Sequence, residues 1–327
     1  MRHVITGGLG FTGQYLSSEL RRQNKEVVVF DIAQPVAALP PEISYIQGDI
    51  RNLDDIKRIN LRDGDIVYHL AARVFHLGAP YSNRDQWFYE VNVHGTKVLL
   101  DAMGAADAKK LVFFSTDMVY GVPDETPVPT SHPRRTLGPY GRSKRDAEDL
   151  FDVYRARGFQ ITVFRPRLIT GAGRFGILMK LFRLIKAGLP VPLIGNGSNR
   201  YQMVSVIDCV TAALRAVELG LPPGPYHLGS QNPPTVRELL GKVIAQAGSR
   251  SRLISTPATT IKAVLNVLDY CGLTLLYPEQ FLIADKDYVL DLSATKRDLS
   301  FEPVYNDEDM MVAAYQEYAR SRGGQAK

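Results

Sequence analysis

The chain holds only two cysteines, Cys209 and Cys271, in 327 residues. They lie far apart and no metal-ligand spacing surrounds them. That excludes a disulfide-stapled secreted domain and fits a reducing, cytoplasmic location. No run of about 18 uninterrupted apolar residues occurs, so an ordinary membrane span is excluded. Met1-Arg2-His3 runs straight into an apolar strand, without the longer apolar stretch and small-residue cleavage site of a secretory signal. Internal repeats and low-complexity segments are also missing. Lys and Arg number 39 against 34 Asp and Glu, a net charge of +5, but the excess forms no dense basic run with interleaved aromatics. Arg134, Arg135, Arg165, Arg167, Arg174 and Arg200 are scattered, which argues against nucleic acid and for small ligands bearing phosphate. His69, His76 and His132 have no acidic neighbours at metal spacing, so no metal site is expected.

What is present is ordinary globular material: 45% apolar and 22% charged residues, enough chain for one large domain or two modest ones. The first half alternates β-branched runs with helical patterns. Strands are predicted over residues 3–6, 26–31, 44–48, 66–70, 110–115 and 160–165, and helices over 12–23, 85–105 and 140–157. Six strands joined by right-handed helical crossovers make a doubly wound parallel α/β sheet of the Rossmann type. After Pro166 glycine and proline break up the alternation. The expected organisation is a cofactor-binding domain over 1–166, with the chain returning to it over about 203–230 (strands near 204–206 and 226–228), and a smaller substrate-binding domain over 167–327. A helical stripe of Ile261, Val264, Leu265, Leu268, Cys271, Leu275 and Leu276 reads as core packing, with an apolar lid or membrane contact as the alternative.

The segment Thr6-Gly7-Gly8-Leu9-Gly10-Phe11-Thr12-Gly13 follows the first strand and opens the first helix. Gly8, Gly10 and Gly13 fit the dinucleotide fingerprint, and Gly7 adds an overlapping Gly-x-x-Gly-x-x-Gly spacing. A tight turn, an unobstructed backbone and a helix N-terminus are what a pyrophosphate needs. Asp31 ends the second strand 18 residues beyond Gly13. An acid there accepts from the ribose hydroxyls and repels a 2′-phosphate. No Arg or Lys occurs from Ile32 to Pro41 to receive one, so the cofactor expected is NAD. Asp49, at the end of the third strand, either accepts from the adenine amino group or caps a helix.

Tyr140-Gly141-Arg142-Ser143-Lys144 places a phenol and an ammonium four residues apart on one helix face. A tyrosine works as an acid/base near neutrality only if its pKa falls by roughly 3 units, on the order of 4 kcal/mol. A nearby cation and a positively charged nicotinamide supply such a shift. Ser115-Thr116-Asp117-Met118-Val119-Tyr120-Gly121 sets hydroxyls at the carboxyl edge of the sheet, where doubly wound folds bind ligands.

Together these elements resemble the NAD-dependent epimerase/dehydratase type of extended short-chain dehydrogenase/reductase, over essentially the full chain. The matching pieces are TGGLGFTG, GDIRN, VYHLAA (67–72), VNVHGT (91–96), STDMVYG (115–121) and PYGRSK (139–144). The resemblance implies Thr116 as the catalytic hydroxyl, Tyr140 as acid/base, Lys144 as its partner and Asn92 as a residue that orders the site. It implies cofactor contacts from Gly7, Gly10, Phe11, Thr12, Gly13, Asp31, Asp49, Ile50, Leu70, Ala71, Ala72, Tyr140 and Lys144, and substrate contacts from Thr116, Asp117 and Met118. Hydride transfer at a secondary alcohol carbon of a nucleotide-activated sugar is the chemistry implied, in a homodimer built through the helices carrying Tyr140 and following Asn92.

Sugar-nucleotide dehydratases of the family carry a glutamate base where this chain has Met118, which favours epimerisation. Asp117 matches their acid. Arg174 and Arg200 are the candidates for a substrate diphosphate, or else surface arginines. RPRLITGAG and GNGSNRYQMVSVIDCV (195–210) also resemble the 3β-hydroxysteroid-dehydrogenase-like branch. The alternative it implies is a net dehydrogenase or ketoreductase on a hydrophobic substrate.

Overall fold

A computed structural model describes residues 1–75, 79–80, 82–173 and 178–321. The six predicted strands are present as β1 (Arg2–Thr6), β2 (Glu26–Asp31), β3 (Ile43–Gln47), β4 (Ile66–His69), β5 (Lys110–Phe114) and β6 (Gln160–Pro166). Beyond them lie β7 (Leu168–Thr170), β8 (Val191–Ile194), β9 (Met203–Ser205), β10 (Tyr226–Leu228) and β11 (Leu253–Thr256). β10 joins the first six in a seven-stranded parallel sheet of order β10-β6-β5-β4-β1-β2-β3. The order reverses between β1 and β4, and a crevice opens beyond their carboxyl ends at such a switch point.

Adjacent residues in these strands feed opposite faces, as the pleat requires. Ile5, Val29, Tyr68, Val112 and Phe164 pack on one side with Leu16, Leu20, Cys209, Val210 and Ala213. Val4, Val28, Val67, Leu111 and Val163 pack on the other with Leu99, Leu100, Met103, Ala147 and Phe151. Both faces are therefore covered by helices: α1 (Phe11–Arg22), the short α2 (Leu53–Lys57), α3 (Arg84–Tyr89), α4 (Thr96–Ala105) and α5 (Pro139–Asp149), with the helix Val206–Glu218 from later in the chain. A separate core of Phe182, Val191, Leu239, Val243, Met310 and Tyr315 forms among the later elements.

Three expectations need correction. The strand near 204–206 forms, but β9 pairs with β7 rather than joining the main sheet. The buried Asp307 carboxylate accepts the Met203 N–H at 2.9 Å, and Ser205 then caps the helix that starts at Val206. The helix over 85–105 is interrupted: Glu90–Gly95 is a π-helical turn between α3 and α4. The apolar stripe near the end of the chain is not core. Of its residues only Leu265 is buried, whereas Val264, Cys271 and Leu275 are exposed on the helix Ala258–Tyr270 and the turn after it. Among the described residues no helix is long and apolar enough to cross a membrane.

Candidate active site

A cleft of about 490 Å³ opens at the carboxyl edge of the sheet. Its walls unite two pieces far apart in sequence. Gly7, Gly10, Phe11, Thr12, Gly13, Leu70 and Ala72 come from the first, and Thr116, Asp117, Met118, Tyr140 and Lys144 from the second.

The glycine loop leaves no room for side chains. Gly7 has φ +70°, and a Cβ there would lie 2.6 Å from the Ala71 nitrogen. A Cβ on Gly13 would lie 2.6 Å from Gly8 Cα. Only glycine allows strand, loop and helix to approach this closely. Gly10 caps α1 without a side chain, and the first turn holds no acidic residue. The positive end of the helix dipole is thus left for an external anion, the fit a dinucleotide pyrophosphate requires. Asp31 braces the loop at its far side: one carboxylate oxygen accepts the Leu9 N–H at 2.9 Å, the other the Ala33 N–H at 3.0 Å.

Lys144 is buried, with Nζ 4.0 Å from the centroid of the Phe113 ring. Burial lowers its pKa to about 7, with Glu148 pulling the other way. Tyr140 stands four residues earlier on α5, its ring 4.7 Å from Phe75 and 5.6 Å from Phe88. Thr116 Oγ1 accepts the Met118 N–H and donates to Asp117, both at 3.2 Å.

Asn92 does not line the cleft; it holds two of its walls together. From the π-helical turn its Nδ2 donates to Arg73 O (3.0 Å) and Ser143 Oγ (2.9 Å), and its Oδ1 accepts the Arg73 N–H (2.7 Å). A directional relay runs through it. Thr96 Oγ1 spends its proton on Asn92 O (2.7 Å), so it can only accept from His69 Nε2 (2.9 Å). His69 Nδ1 then accepts from Thr6 Oγ1 at 2.7 Å, and Ser143 Oγ donates to Tyr140 O at 2.8 Å. These bonds tie the end of β1 to the first turn of α5. Burial lowers the His69 pKa to about 3, consistent with the neutral tautomer the relay demands. π-Turns concentrate at functional sites.

Several of the expected contacts, Asp31 among them, are not part of the cleft wall itself. Asp49 caps neither helix nor cleft: it accepts the Arg51 N–H at 2.9 Å and pairs with its guanidinium, which holds the carboxyl below its usual range. Ile50 is buried under Gly95. Ala71 contributes backbone behind Gly7. Arg200 is exposed and paired with Asp287 (Nε to Oδ1, 2.9 Å). Arg174 and His76 lie outside the described residues. Among the described residues no group of three or more His, Cys, Asp or Glu forms a metal site.

The sequence reading missed two residues. Arg167, directly after β6, is buried between the rings of Tyr201 and Tyr288, with centroid distances of 4.2 and 4.0 Å, and donates to Asp117. Its place at a strand's carboxyl end was the available signal. Among the described residues its Nε and Nη2, with Ser115 Oγ and Thr170 Oγ1, are buried without a hydrogen-bond partner, and all three residues line the cleft. Unsatisfied polar atoms of this kind are costly unless a ligand meets them. The second, Glu279, sits 139 residues from Tyr140 and left no local signature.

Residues 3–229 match the family model described as the NAD dependent epimerase/dehydratase family. The protein y4nG of Sinorhizobium fredii is 30% identical over 99% of this chain and 80% of its own length. A putative UDP-glucose 4-epimerase of Methanocaldococcus jannaschii is 28% identical over 77% of this chain and 84% of its own. The NAD-bound structure of the dTDP-glucose 4,6-dehydratase DesIV from Streptomyces venezuelae superposes with a TM-score of 0.77, at 24% identity over 99% of this chain and 98% of that one. The chain belongs to the NAD-dependent epimerase/dehydratase family, an enzyme family whose cofactor is NAD.

Proposed function

We propose that the protein epimerises a secondary alcohol carbon of a nucleotide-linked sugar, using Thr116, Tyr140 and Lys144. The observation that carries the choice is the pair Asp117–Met118. Elimination of water needs a base at 118 and a free acid at 117. A thioether cannot take a proton, and the Asp117 carboxylate is held by Arg167 with both side chains buried. Redox chemistry at one carbon needs neither.

NAD, once bound, would supply a hydride acceptor and donor for the alcohol carbon. Gly7, Gly10 and Gly13 would hold its diphosphate at the N-terminus of α1, and Asp31 would accept from the ribose. Thr116 turns its hydroxyl from Asp117 to the substrate oxygen. Tyr140 removes the hydroxyl proton and gives it back. Lys144 stabilises the phenolate, since an ammonium buried beside it acts through a low dielectric. The π-turn, Asn92 and Ser143 hold the tyrosine's helix against the cofactor side. In this reading residues 1–166, with the returning segment near 203–230, carry NAD, residues 167–327 carry the substrate, and the protein works as a homodimer.

A second reading, net oxidation or reduction of an apolar alcohol or ketone, has one observation in its favour. Val74, Phe75, Met118, Leu168 and Leu178 give the cleft an apolar wall, and Arg200 is engaged by Asp287 outside it.

Thermal-shift titration with NAD present and UDP, dTDP, GDP or CDP added separates the two. Saturation at about 100 times the dissociation constant adds about 2.7 kcal/mol, several degrees for a chain of this size. A shift with one nucleotide is expected; silence from all four, with NAD alone stabilising, favours the second reading. Tyr140→Phe should leave NAD affinity within about twofold and lower turnover about 10²–10⁴-fold.

A further inference from the structure

The backbone of Tyr140 is held at both ends. Its carbonyl accepts from Ser143 Oγ, which Asn92 supports from the first half of the chain. Its N–H is taken from the opposite direction. The Glu279 carboxylate, on the short helix Pro278–Phe281, accepts the Tyr140 N–H at 2.9 Å and the Gly141 N–H at 3.2 Å. These are the first free donors of α5, whose own cap, Gly138, offers no side chain. Glu279 is buried, and Gly138 is glycine because a Cβ there would lie 2.2 Å from the Glu279 Oε1 atom. The residues beside it reach the same site. The Tyr277 ring packs at a tilt against Phe75, centroids 4.8 Å apart, Phe75 contacts the Tyr140 ring, and Gln280 lines the cleft.

A glutamine would have a single oxygen to share between the two N–H groups, where the carboxylate gives each its own. A carboxylate satisfies both, and it does so although burial raises the pKa of Glu279 to about 7. Arg142 favours its charge and Asp85 opposes it. Those two pair with each other at the surface, so neither compensates Glu279 fully. An unfavourable buried charge kept at the start of the tyrosine's helix points to a role in setting that residue's position.

We propose that Glu279 is a positioning residue for Tyr140: by gripping the N–H groups of Tyr140 and Gly141 it fixes the first turn of α5, and with it the phenol's reach into the cleft. This rests on Tyr140 being the acid/base. It makes a segment remote in sequence part of the proton-transfer apparatus, and places the grip next to Gln280 in the cleft wall.

The test compares wild type, Glu279→Gln and Tyr140→Phe, each saturated with NAD. Amide exchange over residues 139–143 is measured by mass spectrometry, and turnover with UDP-, dTDP-, GDP- and CDP-glucose. Glu279→Gln should speed exchange at Tyr140 and Gly141 about tenfold, leave residues 144–149 unchanged, and lower kcat about tenfold with KM within twofold. Unchanged exchange overturns the proposal. So does faster exchange with unchanged kcat, because the carboxylate is then a structural cap only. If none of the four sugars turns over, the ultraviolet pH titration of the Tyr140 phenol, taken as the difference from Tyr140→Phe, replaces kcat: Glu279→Gln must shift it, and an unshifted phenol overturns the proposal. If Glu279→Gln does not fold, Glu279→Asp, which keeps the charge on a shorter stem, takes its place with the same readouts and the same overturning results. Turnover retained by Tyr140→Phe would instead sink the acid/base assignment itself, whatever Glu279 does.

Discussion

Arg167 donates to the carboxylate of Asp117 in the wall of the cleft, and both side chains are buried. Burial alone pushes the Asp117 carboxyl up, and the guanidinium opposes that shift. Breaking such a pair from one side leaves an uncompensated buried charge, at a cost of about 3–5 kcal/mol. Arg167→Met should therefore destabilise by about that amount in chemical denaturation. Asp117→Asn combined with Arg167→Met should recover most of it. Equal losses in the single and double variants would mean the two side chains do not act as a pair.

Lys144 is a buried cation that folding disfavours. Its pKa is about 7 in the folded protein and about 10.5 when exposed, so the unfolded chain binds the proton more tightly. Stability is full above the unfolded value and is lost as pH falls toward 7. Lys144→Met removes that penalty and should raise stability by about 4 kcal/mol at pH 7 in the cofactor-free protein, while abolishing turnover. Such opposition is common where a site needs an ill-housed group. A melting temperature that falls or stays level would contradict this.

Asp31 accepts the Leu9 N–H, so it shapes the glycine loop besides the ribose contact proposed for it. Asp31→Asn keeps an acceptor but drops the charge. NAD should bind about tenfold more weakly by calorimetry, and discrimination against NADP should shrink. Unaltered preference would remove Asp31 from cofactor selection.

His69 is locked neutral by donating to Thr96 and accepting from Thr6. With a folded pKa of about 3 against about 6.5 unfolded, its contribution is present above pH 6.5. It is lost as pH falls below that, at about 1.4 kcal/mol per pH unit. Nitrogen NMR of the imidazole should show the Nε2–H tautomer unchanged down to pH 5. A midpoint near 6.5 would break the relay from β1 to α5.

The placing of the glycine loop, Asp31, Thr116, Tyr140 and Lys144 about one edge of the sheet was legible because each sits at a fixed offset from a strand or helix end. The strand alternation was legible for the same local reason. Arg167 and Glu279 were not, since their partners, Asp117 and the start of α5, come from distant segments. The π-turn at Glu90–Gly95 hid inside a run with uninterrupted helical character, and β9 chose β7 through Asp307, more than a hundred residues on. Arg200 was read as a phosphate ligand or else a surface arginine; it is exposed, and nothing near it in sequence announced its partner Asp287.

The most direct measurement is proton NMR of the purified protein with NAD and the nucleotide sugar that stabilises it, with nicotinamide absorbance recorded in parallel. Epimerisation predicts a second anomeric signal of unchanged mass growing to equilibrium while no NADH accumulates. NADH formed one for one with substrate, or a product lighter by one water, would contradict it.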